Sequence, residues 1–320
     1  MNRQPRALVY AAGLACALAV TACTAAGGPG PPAPAAATVA GRPVIVVGSF
    51  NFPESVTLAY LYADALAGRG YPVRVLPDLG PRELVDPALI AGLIQLVPEY
   101  TGSALEFVSL GRVPATANVV ATAAALATAM TGRGLVVGQP AAAQDGNAIV
   151  VTAGTAVRYR LRTISSLAAV ANRLVFGGPP ECPERAYCLP GLRLTYGLRF
   201  RQFVALDADG PLTKQALAAG DIGVALLFTT DPAIAARHLV VLTDNRGLQP
   251  AENVVPVLRR ATADRYGPGL LTVLDAVSAR LTTAALAEMD AEVELGNLDP
   301  QAAARQWLRA AGLARKWAAP

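Results

Sequence analysis

The chain has 320 residues, 53% of them hydrophobic and 6% aromatic, with 27 Lys and Arg against 23 Asp and Glu. A chain this apolar can bury a substantial core, so folding does not call for a metal or many disulfides. The small basic excess, with no block of like charge, gives no footprint for nucleic acid and excludes it as an expected partner.

Arg3 and Arg6 precede an uncharged apolar run from Ala7 to Val20. The run is shorter than the ~20 residues a membrane span needs, and it suits the hydrophobic region of a secretory signal. Val20-Thr21-Ala22-Cys23 follows and resembles a bacterial lipobox. Residues 1–22 are therefore expected to be a signal peptide, with a lipidated Cys23 holding the mature protein on the outer face of the cell membrane. Thr24 to Gly41 is Ala, Gly, Pro and Thr almost throughout, without charge. It offers no periodic apolar face, so residues 23–42 are expected to form a disordered tether. Without Arg3 and Arg6, 25 basic side chains face 23 acidic ones.

Val44 to Gly48 reads as a buried strand: short, β-branched and ended by glycine. Ser49-Phe50-Asn51 forms a turn, and Pro53 suits the first position of a helix, with Glu54 in its first turn. That helix is expected to run to Ala67 and to stop at Gly68 and Gly70. A strand over Tyr71–Leu76, a helix over Glu83–Gly92 and a strand over Leu93–Val97 follow. This β-α-β-α-β succession predicts parallel strands with right-handed crossovers. Within Leu96–Ser103, Pro98 lacks a donor and is expected to end the strand, and Gly102 to turn the chain sharply. Tyr100 and Thr101 would then stand at the carboxyl end of a strand, where open α/β sheets place their ligands.

Further on, Val119–Met130 reads as a helix and Leu135–Val137 as a strand. After a polar break at Gln144-Asp145-Gly146 come strands over Asn147–Thr152, Leu174–Phe176, Ile222–Phe228, Leu239–Leu242 and Val254–Leu258. The last third is helical, with Asp299-Pro300 as an N-cap and first helical position and Gly312 beyond a helix end. Two α/β units thus succeed one another, and the strand near Val254 has no following partner of its own kind. Returning it to the first unit gives lobe 1 over residues 43–144 and 253–320, lobe 2 over residues 145–252, two crossovers, and a cleft between the lobes.

Six segments occur in a telling order: Val47-Gly48-Ser49-Phe50-Asn51-Phe52-Pro53-Glu54-Ser55, Pro98-Glu99-Tyr100-Thr101-Gly102-Ser103, Pro180-Glu181-Cys182-Pro183-Glu184-Arg185, Leu189-Pro190-Gly191-Leu192, Phe228-Thr229-Thr230-Asp231 and Asn253-Val254-Val255-Pro256-Val257. The set resembles the substrate-binding proteins of ABC transporters for glycine betaine, choline, carnitine and proline. This resemblance implies an α/β, two-lobed fold of the type II periplasmic-binding-protein kind, closing on a small-molecule solute without any cofactor. It implies a monomer that hands its solute to a membrane permease driven by a separate ATPase. No Gly-rich phosphate loop followed by Lys is visible in the chain itself.

The family's site is an aromatic cage. A trimethylammonium donates no strong hydrogen bond, so ring faces hold it by cation–π attraction of ~0.5–2 kcal/mol each. Tyr100 matches the first cage tyrosine, and Ser103 the hydroxyl near it. The other cage positions carry Asn147, Phe228 and Glu252, and Ser55 stands where members often carry Gln. A carboxylate in a closed cleft is costly unless paired, so Glu252 implies a cationic ligand or a neighbouring Arg. Two solute classes stand side by side: a quaternary-amine osmoprotectant such as glycine betaine or choline, and a more hydrogen-bonding or aromatic solute. An envelope sensor shares the fold and the cleft.

Cys182 and Cys188 lie close together in a turn-rich stretch, which in an exported protein reads as a local disulfide. A metal pair is the alternative, but the single histidine, His238, is remote and no third thiolate is at hand. An enzyme is not expected: the chain has no Gly-X-Ser-X-Gly elbow and no His-Glu-X-X-His, and Asp231 and Asp244 sit at turn positions where Asp satisfies backbone donors.

Overall fold

The computed structural model describes the backbone of residues 38–39 and the whole of residues 42–314. The expected signal peptide, Cys23 and most of the tether lie outside these residues. β1 (Thr38–Val39) and β2 (Arg42–Pro43) form a small antiparallel pair. The chain then lays down β3 (Ile45–Gly48), β4 (Val73–Leu76), β5 (Leu96–Tyr100) and β6 (Leu135–Val137). It crosses to a second unit for β7 (Asn147–Thr152), β8 (Val175–Gly178), β9 (Gln202–Ala205), β10 (Val224–Phe228) and β11 (Leu239–Val241), and returns with β12 (Val254–Arg259).

The first sheet has the order β4-β3-β5-β12-β6 and the second β11-β7-β10-β8-β9. In each, four strands run in one direction, and the strand arriving from the other unit lies antiparallel inside the sheet: β12 between β5 and β6, β7 between β10 and β11. The reason is geometric. A crossover enters at the edge facing the other lobe, the carboxyl end of the parallel strands, and from there it can only run backwards. The two crossovers touch, with Gln144 bridged to Asn253 and the Asp145 N–H donating to the Glu252 carbonyl at 3.1 Å.

Two local expectations fail at β5. Pro98 does not end the strand; it sits in the middle of β5, opposite Pro256 of β12. The Pro256 carbonyl accepts from the Gly138 N–H on the far side of β12 at 2.9 Å. Pro98 and Pro256 therefore form a pair that exchanges no hydrogen bond, so neither missing N–H removes a bond between β5 and β12. Gly102 makes no turn either. The helix Thr101–Ser109 starts directly after Tyr100, and Gly102 lies within it. Glycine is required there because a Cβ would stand 2.4 Å from Pro250 Cγ and 2.8 Å from the Ala251 carbonyl.

The helix Pro53–Ala67 starts at its proline and is buried along most of its length, between the first sheet and the helices Pro268–Ser278, Thr283–Glu294 and Pro300–Ala310. Leu58, Leu61, Leu66, Val257 and Leu274 meet in that core. The second sheet carries one cluster on each face, around Phe176, Leu192 and Tyr196 and around Val150, Leu217 and Ile222. Cys182 and Cys188 are joined by a disulfide with Cα atoms 5.3 Å apart.

Candidate functional site

A cleft enclosing about 880 Å³, including the space open to solvent, lies where the carboxyl ends of the two sheets face each other. Tyr100 ends β5, Phe228 ends β10 and Asn147 starts β7, so the sheet register itself sets these side chains on the cleft wall. Ser103, in the first turn of the next helix, and Glu252, on the returning crossover, complete the group. Ser55 and Thr101 are not on the wall. Both are fully buried; the Ser55 hydroxyl accepts from the Phe50 N–H, and the Thr101 hydroxyl donates to the Ala251 carbonyl and accepts from the Asn253 N–H. Their oxygens are spent on holding the chain, which removes them from the candidate contacts.

Three further rings and an arginine line the cleft that the cage positions did not point to. Phe50 and Phe52 stack at 5.9 Å, Phe52 lies 6.0 Å from Tyr100, and Phe228 meets Phe52 edge-on at 5.0 Å. These centroid distances are those of favourable aromatic pairs. Tyr187 comes from the disulfide loop. The signal for Phe50 and Phe52 was present: they follow β3 at its carboxyl end, by the same rule that singled out Tyr100. Arg82 had no local signal. It pairs with Glu99 on β5 through two hydrogen bonds of 2.9 and 2.8 Å, both side chains buried, and its guanidinium lies 5.0 Å from the Phe50 ring centroid.

The electrostatics of the site are mainly acidic. The Glu252 carboxylate accepts from the Gly102 and Ser103 N–H groups, both at 3.0 Å, and from the Ser103 hydroxyl at 2.5 Å. It thereby occupies the N-terminus of the helix Thr101–Ser109, a place that favours an anion. Burial nevertheless outweighs these donors and raises the carboxyl to about 7. Glu106, Asp145 and Glu181 also reach the cleft, against Arg82, tied to Glu99, and Arg185, tied to Glu83. Arg185 donates to Glu83 at 3.1 and 2.8 Å, bridging the disulfide loop of one lobe to the helix Arg82–Ala91 of the other. Asn147 donates to the Tyr187 carbonyl and to Gln249 Oε1, both at 3.2 Å, which anchors that loop.

Elsewhere, Asp209, Asp231 and Glu294 converge as metal ligands would. Lys214 already places its ammonium among them, 3.1 Å from Asp231 and 2.5 Å from Glu294.

The family model for the substrate binding domain of the ABC-type glycine betaine transport system matches residues 43–310. The chain belongs to this family. It is accordingly the solute-binding component of an ABC importer, an extracytoplasmic receptor that delivers a small solute to a permease. A glycine-betaine-binding protein of Pseudomonas aeruginosa is 27% identical over 86% of this chain and 90% of its own length. The ergothioneine transport permease/ergothioneine binding protein EgtU of Helicobacter pylori is 26% identical over 84% of this chain, which spans 48% of that longer protein. A crystal structure of a glycine betaine/carnitine/choline ABC transporter protein superposes with a TM-score of 0.67 at 20% identity, covering 85% of this chain and all of the other. That likeness establishes the type II binding-protein architecture.

Proposed function

We propose that this receptor captures a quaternary-amine osmoprotectant between two lobes, residues 43–144 with 253–320 and residues 145–252, which hinge where Gln144 bridges Asn253. Tyr100, Phe228, Phe52 and Phe50 supply ring faces, and Ser103, Asn147 and Glu252 the polar end. The observation that carries this reading is the meeting of stacked rings with an acidic wall. Rings attract a trimethylammonium in any member of this solute class. Glu252, already seated on the helix N-terminus, leaves no backbone N–H cradle there for a ligand carboxylate, so choline is favoured over zwitterionic glycine betaine. Calorimetric titration with both tests this: Tyr100→Ala is expected to weaken choline by more than ~1 kcal/mol, and an unchanged affinity overturns the assignment.

A second reading rests on the number of rings. Five aromatic side chains, Tyr187 among them, exceed what one ammonium group needs and suit a larger aromatic betaine of the kind the Helicobacter relative is named for. Ergothioneine belongs in the same titration panel. The receptor works as a monomer held to the outer face of the cell membrane by a lipid on Cys23. Cys23→Ala is expected to release it into the medium; retention in the membrane fraction refutes the anchor.

A further inference from the structure

Behind Tyr100 lies a group of acids that the cage does not use. Glu54 is in the first turn of the helix Pro53–Ala67 and is 4% exposed. One of its oxygens accepts from the Tyr100 hydroxyl, the other from the Thr230 hydroxyl of the opposite lobe, at 2.5 and 2.7 Å. The Asp290 side chain, from the helix Thr283–Glu294, faces it. Asp290 is 2% exposed, and its two buried carboxylate oxygens lack a well-formed hydrogen bond; the polar groups that face them are the Glu54 carboxyl and the Thr230 hydroxyl, which is already donated to Glu54. Two ionised carboxylates in contact and out of water are not tolerated. One proton between them satisfies both, as in other paired carboxyl groups.

Among the described residues, the surroundings supply no cation to take that proton's place. Asp145 faces Glu54 from the crossover and accepts from the Thr229 hydroxyl and the Thr230 N–H at 2.9 and 3.1 Å. Glu294 faces Asp290 from its own helix, and Lys214, the ammonium beside Glu294, is committed to Asp231, Glu294 and Asp209. Burial pushes the Glu54 and Asp145 carboxyls well up, with repulsion from Asp290 adding to it at Glu54 and repulsion from Glu54 at Asp145, and burial lifts Asp290 to about 8.

We propose that Glu54 is a positioning residue of the solute cleft: sharing one proton with Asp290, it fixes the hydroxyl of Tyr100 with one oxygen and ties in Thr230 of the other lobe with the other. Closing the lobes on a solute therefore takes up a proton, and raising the pH weakens capture. The inference rests on the solute reading above only for the ligand used.

The test compares the wild-type chain with Glu54→Gln, which keeps a donor for Asp290 and an acceptor for Tyr100 but cannot titrate. Asp290→Asn replaces it if that variant does not fold. The first arm needs no ligand: the thermal midpoint is followed from pH 5 to pH 9. The wild-type midpoint is expected to fall as the pH rises towards 8, and the variant's to fall less, the difference isolating the pair from Glu252, which titrates in both. In the second arm, the ratio of wild-type to variant Kd for choline is expected to rise by up to tenfold per pH unit over the same range. Parallel midpoint curves overturn the shared proton, whatever binds. A divergent midpoint with a flat Kd ratio overturns the positioning role. A divergent midpoint with no heat from any quaternary amine upholds the shared proton and refutes the solute reading instead.

Discussion

Gly102→Ala tests whether the helix Thr101–Ser109 and the returning crossover are as tightly joined as the geometry shows. In an unhindered helical position, Gly to Ala stabilises by ~0.5–1 kcal/mol. Gly154, also the second residue of its helix, Ala153–Tyr159, is exposed and has open space around it apart from a Thr152 hydroxyl at 3.9 Å, so Gly154→Ala should show that gain. At Gly102 the added methyl would stand 2.4 Å from the stiff Pro250 ring and 2.8 Å from the Ala251 carbonyl. Neither can swing away: Ala251 is held by its N–H on the Thr116 carbonyl at 2.9 Å and by its carbonyl on the Thr101 hydroxyl at 2.9 Å. Helix and crossover must part, which costs ~1–3 kcal/mol as overpacking. Parting also lengthens the bonds of the Gly102 and Ser103 N–H groups to Glu252, charge-assisted contacts worth ~1.5–3 kcal/mol each. With one of these lost, the net change is a loss of ~1.5–5.5 kcal/mol after the propensity gain. Urea unfolding followed by far-UV circular dichroism reads both variants. A midpoint for Gly102→Ala at or above wild type would show that the close approach, and with it the seating of Glu252, is wrong.

Glu252 gives a pH signature of its own. Its folded value of about 7 lies above the ordinary carboxylate range, so its contribution to stability is complete below about pH 4 and is lost as the pH rises to about 7. Glu252→Gln should flatten that part of the stability profile between pH 4 and pH 7, and an unaltered slope counts against the burial of the charge. The Cys182–Cys188 disulfide closes a short loop that carries Arg185 and Tyr187 into the cleft. Replacing both cysteines by Ser should cost ~2 kcal/mol in the chain-entropy view and weaken solute binding, measured by denaturation and calorimetry. Alkylation of the native protein without reduction should leave both cysteines unmodified in the intact mass.

The sequence by itself determined most of the alternation of strands and helices, because that information is local, though it marked neither β9 nor the helix Thr101–Ser109. β-branched runs such as Ile45–Gly48, the proline that opens the helix Pro53–Ala67 and the left-handed glycines Gly92, Gly220 and Gly312 act within a few residues of themselves. It also marked Tyr100 for the cleft, since a strand's carboxyl end is legible in a single segment, and the family resemblance marked Phe228. Where the neighbour is remote, the same residues were misread. Pro98 signals a strand end until Pro256 is set opposite it, and Gly102 signals a turn until Pro250 and Ala251 are pressed against its Cα. Ser55 and Thr101 look available until their hydroxyls are found bound to backbone. The acidic groups are the extreme case. Glu54 meets Thr230 across 176 residues of chain and Glu252 meets Ser103 across 149, and no periodicity records such distances. Local sequence sets which conformation each segment prefers; only the packed structure decides which charges lose their water together, and that shared desolvation fixes the protonation and the chemistry of the cleft.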